Sequence, residues 1–322
     1  MTLGFTLRMA LILIVSACAS PTWAQSWTSK PVRIVLQFPP GGSTDLVARI
    51  LAQSISQSIG QAVVVENKPG ADGAIAAEQV MRSDPDGATL FLASNTPMMQ
   101  VPLLRKNPPY DPVAHFTPVT LIGRYVYVLV TSPSVAAANY EALVAFSRAN
   151  PGKLNYGSYS GVTQLMHARL RAASGLEMTL VPYKGEAQAI AEILGGRIDV
   201  TFATPTSTLV HIRDGKLRAL ATLVPKRVAL LPNVPTAAEA GVPSFTAQTW
   251  AAIFGPAKMS PDVVARINKE FNTAMRRPDV REKIDAQGFQ LEGSTPEEMS
   301  AFLKEQLQSW GRAFKEAGFQ PE

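Results

Sequence analysis

The chain has 322 residues, enough for two α/β lobes, and combines 46% hydrophobic with only 17% charged residues. Its formal net charge of +5 is spread without a block of consecutive basic residues, which gives nucleic-acid binding little support and suits attraction of a small anion. The single cysteine, Cys18, excludes an intramolecular disulfide and any multi-cysteine metal site, so stability has to come from a core.

Residues 1–24 read as a signal peptide. Residues 1–8 carry one positive charge, and residues 9–19 are an apolar, small-residue run too short to span a membrane comfortably. Two processing routes are open. Thr22-Trp23-Ala24 is a small-x-small cleavage site leaving Gln25 first, whereas Val15-Ser16-Ala17-Cys18 fits a lipoprotein box that would anchor the chain through Cys18. The first is favoured, since a small residue before the cut and a polar one after it suit ordinary signal peptidase. The periplasm is the expected compartment, and no later apolar stretch is long enough to span a membrane.

From Pro31 onward, short β-branched runs alternate with helix-period segments, as in βα units feeding largely parallel sheets. Residues 32–37, 62–66 and 89–93 are predicted strands. Between the first two, a helix over 44–59 places Leu46, Val47, Ile50, Leu51, Ile55 and Ile59 on one face and stops at Gly60. A shorter helix over 74–81 ends at the turn Asp84-Pro85-Asp86-Gly87. A second series after Thr117 gives strands at 125–131, 154–157, 178–182, 198–203 and 217–223, with helices between them. The proline-rich stretch 225–243 reads as a return crossing and 249–254 as a further strand. Residues 262–286 and 296–317 are predicted helices that pack back on the first lobe. The expected fold is α/β, with residues 25–124 and 225–322 in lobe 1, residues 125–224 in lobe 2, and a ligand cleft between them.

Pro39-Pro40-Gly41-Gly42-Ser43-Thr44-Asp45 joins the first strand to the first helix, at the carboxyl end of a strand where open α/β sheets bind ligands. Two glycines let the backbone approach closely, and the helix start offers unpaired N–H groups at the positive end of its dipole. An oxyanion fits there. The competing reading is that Ser43 or Thr44 caps the helix and the glycines only make a tight turn. Neither a Walker loop nor a Gly-x-Gly-x-x-Gly fingerprint is present, so nucleotides are disfavoured and no cofactor is expected. The pattern recurs at Lys68-Pro69-Gly70-Ala71-Asp72-Gly73, at Ser94-Asn95-Thr96, at Ser158-Tyr159-Ser160-Gly161-Val162-Thr163 and at Tyr183-Lys184-Gly185. Asp45, Arg49 and Lys68 have an alternative as ion pairs within the lobe or on its surface. For Arg49, more than a turn into the helix, the ion pair is preferred.

At these residues the chain resembles the Bug proteins, the TctC-like extracytoplasmic receptors of tripartite tricarboxylate transporters. The resemblance runs from Trp27 to the C-terminus. It is carried by Lys30-Pro31-Val32-Arg33-Ile34-Val35, Phe38-Pro39-Pro40-Gly41-Gly42-Ser43-Thr44-Asp45 with Arg49, Val65-Glu66-Asn67-Lys68-Pro69-Gly70, Asn155-Tyr156-Gly157-Ser158, Val181-Pro182-Tyr183-Lys184-Gly185 and Pro232-Asn233-Val234-Pro235-Thr236. It implies a type II periplasmic-binding (Venus-flytrap) fold, a small carboxylate ligand, handover to membrane permease subunits, and a monomer that does no chemistry. It also implies ligand contacts from 41–45, 70–73, 94–96, 158–163 and 183–185. Departures are informative. Ala203 stands after a strand where the family often has an Asp, which argues against an ammonium-bearing ligand. Pro97, Met98 and Tyr159 replace smaller or polar residues, so they either line a more apolar site or pack the hinge.

Two rival functions compete with this one. For an enzyme, His115, His167 and His211 sit in no metal-ligand spacing and no Gly-x-Ser-x-Gly elbow is present. A sensory receptor would use the same capture step and differ only in its partner.

Overall fold

In a computed structural model, residues 27–224, 226–241 and 249–321 are described; the leader with Cys18, and both ends of the proline-rich crossing, lie outside the described residues. β1 (Val32–Leu36) is apolar at every position except Arg33 and is buried at those positions, as a strand covered on both faces must be. It lies parallel to β2 (Val63–Asn67) on one side and β3 (Thr89–Ser94) on the other. The sheet continues through β10 (Thr249–Pro256), which is antiparallel to both β3 and β4 (Phe116–Tyr125), and ends at β11 (Phe289–Leu291). The second sheet runs β7 (Thr179–Pro182), β6 (Asn155–Ser158), β8 (Val200–Ala203), β5 (Val128–Thr131), β9 (Arg218–Thr222), with β5 antiparallel to its neighbours. Both sheets are therefore mixed rather than largely parallel. Each keeps a parallel trio of βα units and takes an antiparallel strand where the chain crosses between lobes.

One face of the first sheet is covered by α1 (Ser43–Ile59), with Val47, Leu51 and Ile55 buried against Ile34 and Leu92. The other face packs on α2 (Ala74–Met81) and the long C-terminal helix Pro296–Glu316, and that core runs on without a break into Tyr156, Leu165 and Phe202 of the second lobe. A continuous apolar seam thus joins the lobes, and burial of such side chains contributes about 1.5–3 kcal/mol each.

Three sequence predictions need correction. Residues 125–131 are not one strand: Tyr125 ends β4 in the first sheet, Val126 and Tyr127 cross over, and β5 begins at Val128 in the second. An apolar run has no period that marks such a crossing. β4 itself went unread, and so did β11, which reaches it only because Gly123 has no side chain; a Cβ there would lie 2.0 Å from the Gln290 carbonyl oxygen. The predicted helix over 262–286 is two helices, Pro261–Arg276 and Pro278–Asp285, because Pro278 forces Arg277 into extended backbone (φ −66°, ψ 131°).

Candidate functional site

The junction between β1 and α1 is built to leave amides unspent. Gly42 is the N-cap residue, with no side chain to cap, and neither Ser43 nor Thr44 takes that role. Thr44 instead hydrogen-bonds the Tyr125 hydroxyl, and Ser43 Oγ is buried without a partner. The first-turn N–H groups therefore point out of the helix end, where its dipole is positive. Asp45, only 2% exposed, reaches back one turn: its carboxylate accepts from Gly41 N (2.9 Å), Arg49 Nε (2.9 Å) and Asn67 Nδ2 (2.9 Å). Burial alone would raise its pKa, yet the bonds from Arg49, Gly41 and Asn67 hold it below the ordinary value of 3.8. Gly41 sits at φ 88°, a conformation that favours glycine, while Gly42 is in ordinary extended backbone with open space around its Cα.

Two further segments meet this loop. Gly70, Ala71, Asp72 and Gly73 are all at positive φ, and Arg105 holds the bend by donating to the Ala71 carbonyl (3.0 Å). Left-handed non-glycine residues cost of order 1–3 kcal/mol each and concentrate at ligand clamps. A Cβ on Gly73 would lie 3.0 Å from Gln37 Cβ and 3.2 Å from Pro97 Cβ, so the ends of β1 and β3 close on this glycine. Gln37 Oε1 accepts from Ser94 Oγ (2.6 Å) and Ser94 N (3.2 Å), and its Nε2 donates to the Leu92 carbonyl. Ser94-Asn95-Thr96 is not a loop: Ser94 closes β3, and Thr96–Gln100 is a π-helical turn. Asn95 Oδ1 accepts from Trp250 N (2.7 Å), while Asn95 Nδ2 is buried and unpaired. Met98 is fully buried in the core shared by the lobes and does not line the site.

The second lobe treats its junctions differently. Ser160 caps the helix Gly161–Ser174 through a reciprocal pair with Thr163, whose Oγ1 also accepts from Tyr159 N (3.1 Å) and lies 3.0 Å from Ser158 Oγ. Gly161 is pressed against the Gln100 side chain of the first lobe. Gly185 is an uncapped N-cap in extended backbone, beside exposed Lys184 and half-buried Tyr183. Ala203 is buried at the end of β8, and next to it Thr204 N (2.6 Å) and Thr204 Oγ1 (2.9 Å) both donate to Glu186 Oε1, as does Ser207 Oγ. A carboxylate from position 186 therefore lies beside the end of β8, where position 203 itself has none.

The structure brings the 41–45, 70–73 and 94–96 segments together in one lobe, and Tyr125, Tyr127 and Tyr159 connect them to the other. The Tyr127 phenol interacts with both Tyr159 and Thr249, and burial, then the charge of Glu186, keeps Tyr127 and Tyr159 protonated far above the usual phenol range. Gln37, Asn67, Tyr127 and Glu186 were missed by sequence reasoning. Glu186 had a visible signal, an acid immediately after the Tyr183-Lys184-Gly185 junction, but an acid in a first helical turn reads as a dipole partner. Among the described residues, no cluster of three or more His, Cys, Asp or Glu could hold a metal ion, and no helix is long and apolar enough to cross a membrane.

This geometry has close relatives. A family model described as the tripartite tricarboxylate transporter family receptor matches residues 47–319. The protein BugT of Bordetella pertussis is 33% identical over 313 residues, covering 96% of each chain. A solved structure described as a periplasmic transporter is 37% identical with a TM-score of 0.83, covering 92% of this chain and 99% of its own. R. palustris Rpa4515, solved with adipate, is 28% identical with a TM-score of 0.84, covering 92% and 100%. The two α/β lobes with mixed sheets are therefore those of periplasmic binding proteins, and the chain belongs to the tripartite tricarboxylate transporter receptor family, whose members bind solutes and are not enzymes.

Proposed function

We propose that this protein is an exported periplasmic receptor that captures a small organic carboxylate between its lobes and delivers it, as a monomer, to the membrane subunits of a tripartite transporter. The observation that carries this is the uncapped start of α1, where Asp45 pins Gly41 and leaves the amides beyond Gly42 free for an anion. The residues proposed to surround the ligand are Gly41 to Thr44, the bend 70–73, Ser94 to Thr96, and from the second lobe 158–160 and 183–185. Asp45 acts by holding the loop, since its own oxygens are committed. The boundary expected before residue 125 moves to the crossing at Val126-Tyr127, so residues 27–125 with 249–321 make one lobe and 128–224 the other, and closure of the second on the first would give the permease a shape by which to tell loaded from empty receptor.

The energetics are sufficient. Hydrogen bonds to a charged group contribute about 1.5–3 kcal/mol each, and a micromolar complex needs about 8 kcal/mol net, so a handful of amides and hydroxyls accounts for it. Support from the relatives is of the same kind: Rpa4515 was solved with a dicarboxylate, adipate. Calorimetry across mono-, di- and tricarboxylates, guided by native mass spectrometry of the freshly purified protein, tests the reading. Binding of at least one acid is expected; silence from every acid with tight binding of a neutral or cationic compound would overturn it.

A further inference from the structure

Two helix starts of the second lobe are already occupied by the protein's own groups, whereas the start at Gly185 has no side-chain cap. Ser160 and Thr163 close the start of the helix Gly161–Ser174 reciprocally. At the start of the helix Pro205–Arg213, the carboxylate of Glu186 takes the place an external anion would otherwise be drawn to, with three donors on Oε1. Its second oxygen, Oε2, accepts no protein hydrogen bond among the described residues. Close to this charge, the Tyr159 hydroxyl oxygen and Thr249 Oγ1, the latter on a residue 4% exposed, are buried and, among the described residues, have no polar partner apart from the Tyr127 phenol. Buried polar atoms in native proteins almost always have their hydrogen-bonding capacity met, so spare capacity in a binding region marks a contact reserved for what binds there.

We infer that the ligand carries a single carboxylate, and that its far end is a hydrogen-bond donor (a hydroxyl, amide or ammonium group) received by Glu186 and Tyr159 rather than a second carboxylate. The inference rests on the carboxylate reading above. A second anion brought to this end of the site would meet the fixed carboxylate of Glu186, and like charges brought together in a partly buried site oppose binding. A donor meets the reverse situation. Glu186 Oε2 accepts only, and the Tyr159 oxygen accepts from the ligand while turning its own proton to a neighbour. Lys184, beside Gly185, is exposed, and a hydrated ammonium on a flexible stem is a weakly organised counter-charge.

The test uses matched-length probes on the full mature protein. By calorimetry, 6-hydroxyhexanoate and 6-aminohexanoate are expected to bind at least about tenfold more tightly than adipate, and the corresponding four-carbon acids more tightly than succinate. Glu186→Gln is expected to narrow that gap to within about threefold by strengthening the diacids, and Tyr159→Phe to weaken the donor-ended acids alone by about tenfold. A diacid that binds as well as its donor-ended match in the native protein, or a gap unmoved by both substitutions, would overturn this inference and leave carboxylate capture standing. Silence from every acid would overturn carboxylate capture itself, and this inference with it.

Discussion

Two strand-to-helix junctions in this molecule have similar sequences and opposite designs. Gly41-Gly42-Ser43-Thr44-Asp45 in the first lobe and Ser158-Tyr159-Ser160-Gly161-Val162-Thr163 in the second each place glycine, serine and threonine at a helix start. In the second, the hydroxyls lie at N-cap and N3, the spacing at which each can bond the other's backbone, and the helix end is satisfied from within. In the first, glycine occupies the N-cap, threonine stands at N2, one position short of N3, and turns to Tyr125, and the N3 side chain is Asp45, which reaches past the N-cap to Gly41. The composition of a loop does not decide whether its helix end is available. The register of its hydroxyls against the first helical residue does.

The largest effect should come from filling the open junction. Gly42 lies at φ −79°, ψ 167°, with no atom within 4 Å of where a Cβ would stand, so valine there strains nothing in the fold. In a site that works through close approach of backbone amides, the same valine removes about two charge-assisted hydrogen bonds, or about 3–4 kcal/mol of binding. Gly42→Val should therefore weaken carboxylate binding on the order of 100- to 1000-fold by calorimetry, with an unchanged melting temperature. Unchanged affinity would take the first junction out of the site and dissolve the contrast with the second.

Asp45→Asn tests how the open junction is held. An amide at this buried position sets N–H groups against the donors of Gly41, Arg49 or Asn67, and an unmet buried donor costs about 1–3 kcal/mol. A melting-temperature drop of several degrees is expected, with affinity down about tenfold as the loop loosens. The same carboxylate sets a pH dependence. Because its folded pKa lies below the ordinary 3.8, its stabilisation is fully present above that value and is lost as pH falls through the folded value. The stability gap between the native protein and Asp45→Asn, measured without ligand, should hold steady from neutral pH down to about pH 5 and close below about pH 4. A gap that persists into acid would mean that the charge of Asp45 is not what secures Gly41.

Much of this architecture could be read from residue patterns, and what could not has identifiable causes. The βα alternation of residues 32–93 was legible because each strand is short and lies within a few residues of glycine or proline, and the first two are rich in β-branched residues. The Arg49–Asp45 pair followed from i, i+4 helix geometry. The lobe crossing at Val126-Tyr127 was hidden inside an apolar run, and β11 is three residues that are a strand only because Gly123 admits them. Within the site, the loop glycines could be picked out locally, whereas Gln37, Tyr127 and Glu186 owe their positions to partners 57, 32 and 18 residues away in Ser94, Tyr159 and Thr204. Long-range pairing of this kind leaves no local period.

The smallest effect should come from the closed junction. Thr163→Val keeps the shape of the side chain and removes the oxygen that serves Ser160 N, Tyr159 N and Ser158 Oγ. Loss of such a cap typically costs about 1 kcal/mol. A fall of a few degrees in melting temperature with affinity changed less than about twofold is expected, because these groups already satisfy one another. A tenfold loss of affinity with little loss of stability would reverse the assignment. It would show that the hydroxyls of the second lobe exchange their internal partners for the ligand on closure, and that the two junctions differ only while the receptor is empty.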